Sequence, residues 1–110
     1  MTSYSRGYYG EKKARRQLED DGYFVVEARG SHGVADLVAI KPGQILVVQV
    51  KRTTSGRLDP LERQQLWELA RWIWAEPIAA FQPKARGPMA LTGVGVGDFE
   101  DFLLDEVGAA

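Results

Sequence analysis

The stretch Asp36 to Lys51 (Asp-Leu-Val-Ala-Ile-Lys-Pro-Gly-Gln-Ile-Leu-Val-Val-Gln-Val-Lys) leaves this chain few ways to fold. Two apolar runs flank a Pro-Gly pair. Pro42 suits the first central position of a tight turn and Gly43 a second position with positive φ, so Asp36–Ile40 and Ile45–Lys51 read as an antiparallel hairpin. With Pro42 and Gly43 as the loop, Lys41 faces Gln44, Ile40 faces Ile45 and, counting back, Asp36 faces Gln49. Opposed side chains on one face sit about 5 Å apart at Cβ. Lys51, two residues beyond Gln49, points the same way. A carboxylate, an amide and an ammonium therefore converge at one end of a hairpin whose middle is apolar. Strand ends are often polar simply because they reach water. The trio carries more than that, because carboxylate, amide and backbone carbonyl oxygens are hard ligands for Mg²⁺, and a neighbouring ammonium stabilises charge on a phosphate.

The chain has 110 residues, enough for one core and too few for two, so residues 1–110 are expected to form a single domain. It has no cysteine, which excludes disulfides and thiolate metal sites. With no long apolar run and no signal-peptide pattern, the expectation is a cytoplasmic protein without a membrane partner. The net charge of −1 hides an asymmetry. Residues 1–60 hold ten Lys/Arg against seven Asp/Glu, and residues 61–110 hold four against eight. The basic half carries the candidate site, as a nucleic-acid partner would require.

Tyr8 to Asp21 reads as a helix stopped by Gly22. Glu11, Ala14 and Leu18 share its core-facing side, which puts a carboxylate where an apolar residue is expected. Its bland account is a carboxylate near a helix N-terminus, favoured there by the dipole. Lys12, Lys13, Arg15 and Arg16 fall elsewhere on the helix, as a solvated face or a phosphate-binding one. Tyr23–Val26 has strand composition. The loop Glu27–Ala35 follows, with Gly30, Ser31 and Gly33 able to present N–H groups and a hydroxyl to phosphate. His32, the lone histidine, reads as an exposed loop side chain.

These elements together resemble a known family. Gly10-Glu11-Lys12, Asp21-Gly22-Tyr23, Arg29-Gly30-Ser31, Asp36-Leu37-Val38-Ala39 and Gln49-Val50-Lys51 look like the archaeal-type Holliday junction resolvases and their phage and bacterial relatives. That family lies within the PD-(D/E)xK nucleases, and the likeness covers about the first 52 residues. The resemblance implies an α/β, restriction-endonuclease-like fold, a mixed central sheet flanked by helices. It also implies a Mg²⁺-dependent (or Mn²⁺-dependent) endodeoxyribonuclease acting on branched DNA, with no small-molecule cofactor. Glu11, Asp36, Gln49 and Lys51 take the catalytic positions, with Glu11, Asp36, Gln49 and the Val50 carbonyl as metal ligands. Gln49 stands where the family's commoner residue is glutamate, which removes one negative charge. Lys12, Lys13, Arg16, Arg29, Ser31, Arg52 and Arg57 are the expected DNA contacts. Flap, nicking or restriction-like cleavage, or DNA binding without catalysis, are the alternatives.

Beyond Lys51, Arg52–Leu58 is a polar, glycine-bearing loop able to fasten onto phosphates. Asp59-Pro60-Leu61-Glu62 announces a helix running to about Ala75, with Asp59 as N-cap and Glu62 closing a capping box. Its apolar residues, including Trp67, Trp72 and Trp74, spread over roughly 240° of circumference, far beyond the ~100° stripe that packing on one core needs. Either all three rings fill the core or one face takes a partner. A homodimer with Trp67, Trp72 or Trp74 in the contact is the expectation, since a four-way junction offers two symmetry-related strands to a two-fold assembly. Strands are expected at Ile78–Gln82 and Met89–Thr92, joined by the basic turn Lys84–Pro88, and a short acidic helix at Asp98–Val107.

Overall fold

The computed structural model describes residues 3–28 and 33–95, with side chains from residue 9 onward. Its elements are α1 (Ser3–Asp20), β1 (Phe24–Glu27), β2 (Leu37–Lys41), β3 (Gln44–Val50), α2 (Pro60–Trp72), β4 (Glu76–Phe81) and β5 (Ala90–Gly93). The strands form one sheet in the order β1-β2-β3-β4-β5. All neighbours are antiparallel except β3 and β4, which run parallel because α2 carries the chain back between them. The expected C-terminal helix at 98–107 lies outside the described residues, as do Arg29, Ser31 and His32.

Local chemistry sets the boundaries. The α1 helix ends in a left-handed glycine, Gly22 at φ 97, with the Tyr23 N–H reaching back to the Leu18 carbonyl at 3.0 Å and the Gly22 N–H to that of Glu19 at 3.0 Å. Gly43, at φ 78, makes the two-residue hairpin turn that pairs Lys41 with Gln44 and Ile40 with Ile45, as the Pro-Gly pair requires. Asp59 caps α2 through a reciprocal box with Glu62. The Glu62 N–H donating to the Asp59 carboxylate holds that acid below its ordinary pKa.

Strand alternation then sorts the apolar residues into two cores. Leu37, Ala39, Leu46, Val48 and Val50 pack with Ala14 and Leu18 of α1. Val47 and Ala79 pack with Leu58 and with Leu66 and Ala70 of α2. The central strand β3 is buried on both faces, and its C-terminal end is where the polar trio emerges. The loop that follows β3 is held tightly there. Gly56 is buried at φ 64, and a Cβ on it would run into the Phe81 ring, so no other residue fits without moving the loop. Among the described residues no helix is long and apolar enough to cross a membrane.

Candidate active site at the end of the central hairpin

The β2–β3 ladder runs in register only as far as Leu37 opposite Val48. The Asp36 N–H also donates to the Val48 carbonyl, at 2.8 Å, so two successive residues oppose one, as in a bulge. On the other side the Asp36 carbonyl accepts the Ala28 N–H at 2.9 Å. Asp36 is therefore not placed opposite Gln49 as straight counting predicts. Its carboxylate turns onto the backbone, with Oδ2 accepting the Val50 N–H at 2.7 Å. Burial pushes the Asp36 carboxyl above its ordinary pKa, against the opposing pull of that N–H and of the Lys51 and Arg52 charges.

Gln49 lies on the α2 side of the sheet, with Val47 and opposite to Val48 and Val50. Its Oε1 is buried and has no hydrogen-bond partner among the described residues. An amide oxygen in that state is costly unless something is meant to bind it. Lys51 shares the face, and its Nζ meets both Glu62 oxygens, at 2.9 and 3.2 Å. Glu62 thus has two duties: one oxygen closes the α2 capping box through the Asp59 N–H at 3.1 Å, and the carboxylate aims the site lysine. Its capping role is legible three residues after Asp59. Its reach to Lys51, across the loop, has no sequence signal.

Glu11 is half-buried on the α1 side. The helix approaches β3 closely there, since a Cβ on Gly10 would lie 3.2 Å from Val50 Cγ1. Among the described residues no three His, Asp or Glu side chains gather closely enough to hold a metal. A cation at this end would therefore rest on few carboxylates, with neutral oxygens completing the set. The donors present are all oxygens, and the orphaned Gln49 Oε1 is one of them, so they suit a hard divalent ion.

The expected DNA contacts divide. Lys12, Arg16, Arg52 and Arg57 are exposed. Lys13 is turned inward to the Gly87 carbonyl, which makes it a tie within the fold. Arg15 pairs with Glu19 and Glu27 at 3.5 and 3.8 Å. The tryptophans do not fill the core together. Trp67 is half-buried beneath the Arg71 guanidinium, 4.6 Å from its ring centre, while Trp72 and Trp74 are 81% and 93% exposed.

An antiparallel three-stranded unit with a polar site at its far end, joined through a helix to a parallel fourth strand and flanked by helices on both faces, is a restriction-endonuclease-like fold. A family model described as archaeal Holliday junction resolvase (Hjc) matches residues 2–92, and the chain belongs to that family. A UPF0102 protein of Thermotoga maritima is 32% identical over 101 residues, spanning 86% of this chain and 93% of the relative. Its counterpart in Thermotoga petrophila matches equally. A crossover junction endodeoxyribonuclease Hjc from Methanocaldococcus jannaschii is 33% identical over 54 residues, 49% of this chain and 40% of its own.

Loss of the Glu62 charge tests the link from α2 to the site. Glu62→Gln keeps an acceptor for the cap, and since the pair is partly exposed it should change stability by less than about 1 kcal/mol. Single-turnover cleavage should nevertheless fall about 10- to 100-fold, as when a group that orients a site residue is lost. An unchanged rate would reduce the Lys51–Glu62 contact to an ordinary ion pair.

Proposed function

We propose that this chain is a divalent-metal-dependent endodeoxyribonuclease of the cytoplasm that resolves four-way DNA junctions. The observation that carries the reading is the orphaned Gln49 oxygen beside Val50, whose N–H holds the Asp36 carboxylate, with Lys51 aimed from the same strand end. Asp36, the Gln49 Oε1, the Val50 carbonyl and Glu11 are the groups that would hold Mg²⁺ or Mn²⁺, which when bound supplies Lewis-acid chemistry at the scissile phosphate. Lys51 donates to a phosphate oxygen and stabilises the charge that grows on it. Glu62 keeps Lys51 directed. Exposed Lys12, Arg16, Arg52 and Arg57, with Arg29 and Ser31, contact the phosphate backbone.

The low carboxylate count favours one other reading, a DNA-binding module without catalysis. Labelled four-way junction, flap, nicked and linear DNAs, each with and without Mg²⁺, separate the cases. Symmetric cuts confined to the junction support resolution. Cutting of flaps or linear DNA points to another nuclease duty, and binding without cutting in any metal points to the module.

We further propose that the enzyme is a homodimer whose contact includes the α2 end. Trp74 has φ 61, which costs a residue with a side chain roughly 1 kcal/mol, and it holds the ring in water. A second copy covering Trp72 and Trp74 would recover that exposed area. Trp74→Gly relieves the backbone and deletes the ring, so it should stabilise the isolated chain by about 1 kcal/mol while weakening self-association at least tenfold. Sedimentation at micromolar concentration reads the second effect, and a parent that sediments as a monomer sinks the dimer.

A further inference from the structure

The basic turn after β4 is a feature that the site described above does not use. Because β3 and β4 are parallel, with Val50 opposite Ala80 and the Lys51 N–H on the Ala80 carbonyl at 2.8 Å, their C-terminal ends coincide. The chain leaving Phe81 therefore turns at the same end of the sheet as Asp36, Gln49 and Lys51.

That turn is pinned in place. The Gly87 N–H returns to the Lys84 carbonyl at 3.0 Å, and the Gly87 carbonyl accepts from Gln82 Nε2 at 2.8 Å and from Lys13 Nζ. One α1 turn further on, the Gln17 amide grips Met89 from both sides, accepting its N–H at 3.0 Å and donating to its carbonyl at 2.8 Å. Lys13 and Gln17, four residues apart, thus form a seam between α1 and the turn. Lys12 and Arg16 form the next row of the helix and are exposed.

The tips of the turn carry two cations. The side chains of Lys84 and Arg86 are exposed and have neither an ion pair nor a hydrogen-bond partner among the described residues, and the same holds for the side chains of Lys12 and Arg16. The chain has no Asp or Glu between Glu76 and Asp98. By contrast Arg15 and Lys41 are neutralised by neighbouring carboxylates. Arg86 moreover sits at φ 65, a conformation that glycine would take at less cost.

We propose that the Lys84–Arg86 turn is a second nucleic-acid contact, a clamp for the sugar-phosphate backbone of a duplex arm leaving the active end, continuous with Lys12 and Arg16 across the α1 seam. The proposal rests on the nuclease reading above. Its ligand is the phosphate backbone of duplex DNA, read without sequence.

The test is binding to a labelled four-way junction in EDTA across a salt series. Lys84→Ala with Arg86→Gly removes both charges, and the glycine eases the backbone, so the fold should melt no lower. Affinity near 0.15 M salt should fall about 10- to 100-fold, and the slope of log K against log [salt] should become shallower by about 1.8, near 0.9 for each lost phosphate contact. Arg86→Glu alone should weaken binding further than Arg86→Gly alone, giving a second reading if the double variant folds poorly. Lys41→Ala, at the hairpin turn on the opposite end of the sheet and paired with Asp21, should bind as the parent does. Parental affinity and slope in the turn variants, with a parent that cuts DNA, overturn the clamp alone. A parent that neither binds nor cuts any DNA overturns the clamp and the nuclease reading together.

Discussion

Asp36→Asn should lower junction cleavage by about 10³-fold while leaving junction affinity within a factor of about two. The charge proposed to hold the metal is lost, and with it the polarisation of the phosphate, a contribution of the size seen when a key electrostatic group is removed. Affinity comes mainly from many Lys and Arg contacts to phosphate, which the substitution leaves alone. The fold should survive, because the asparagine oxygen can still accept the Val50 N–H that Asp36 holds. The raised pKa predicts the direction of the stability change. An acid whose folded-state pKa lies above its unfolded one binds the extra proton when folded, so its contribution to stability is fullest below the ordinary carboxylate pKa and is lost as pH rises through the raised value. At neutral pH the metal-free Asp36→Asn variant should therefore melt at or above the parent's temperature. Single-turnover rates, filter binding and thermal melts check all three. Strong residual cleavage would remove Asp36 from the site.

Gln49→Leu should separate stability from activity. Leucine fills a similar volume without leaving a buried amide oxygen unpaired, a penalty of about 1–3 kcal/mol, so metal-free melting should rise. Turnover should fall about 100-fold or more if the same oxygen is a metal ligand. Gln49→Glu restores the charge of the commoner motif and should tighten Mg²⁺ binding about tenfold, read as a lower half-saturating Mg²⁺ concentration for cleavage. A leucine variant that is both stabilised and fully active would make Gln49 a packing residue and place the site elsewhere. A variant that is destabilised would mean that the amide has a structural partner.

Elements whose causes are local can be read from the chain alone. Pro42 and Gly43 set the hairpin register, because a two-residue turn fixes which residues face each other for as long as the ladder is regular. Gly22 ends α1 and the Asp59–Glu62 box starts α2, since each needs only residues within a turn of itself. The end of α2 was less legible. The helix stops at Trp72 instead of about Ala75, through a left-handed cap made by Trp74, with the Ala75 N–H on the Ala70 carbonyl at 2.7 Å. No glycine signals it, because the chain is turned by the need to deliver Glu76 and Pro77 into a parallel pairing with β3. The same distinction runs through the site. That Asp36, Gln49 and Lys51 belong to one strand end follows from alternation. The bulge that turns Asp36 onto Val50, the burial of the Gln49 oxygen, and the capture of Lys51 by Glu62 depend on contacts between segments distant in the chain. So does the docking of the Lys84–Arg86 turn beside α1, where Lys13 meets Gly87, 74 residues away, and Gln17 meets Met89, 72 residues away. Only tertiary packing decides such contacts, because their partners meet through the sheet's parallel crossover and the two helix faces rather than through any spacing along the chain.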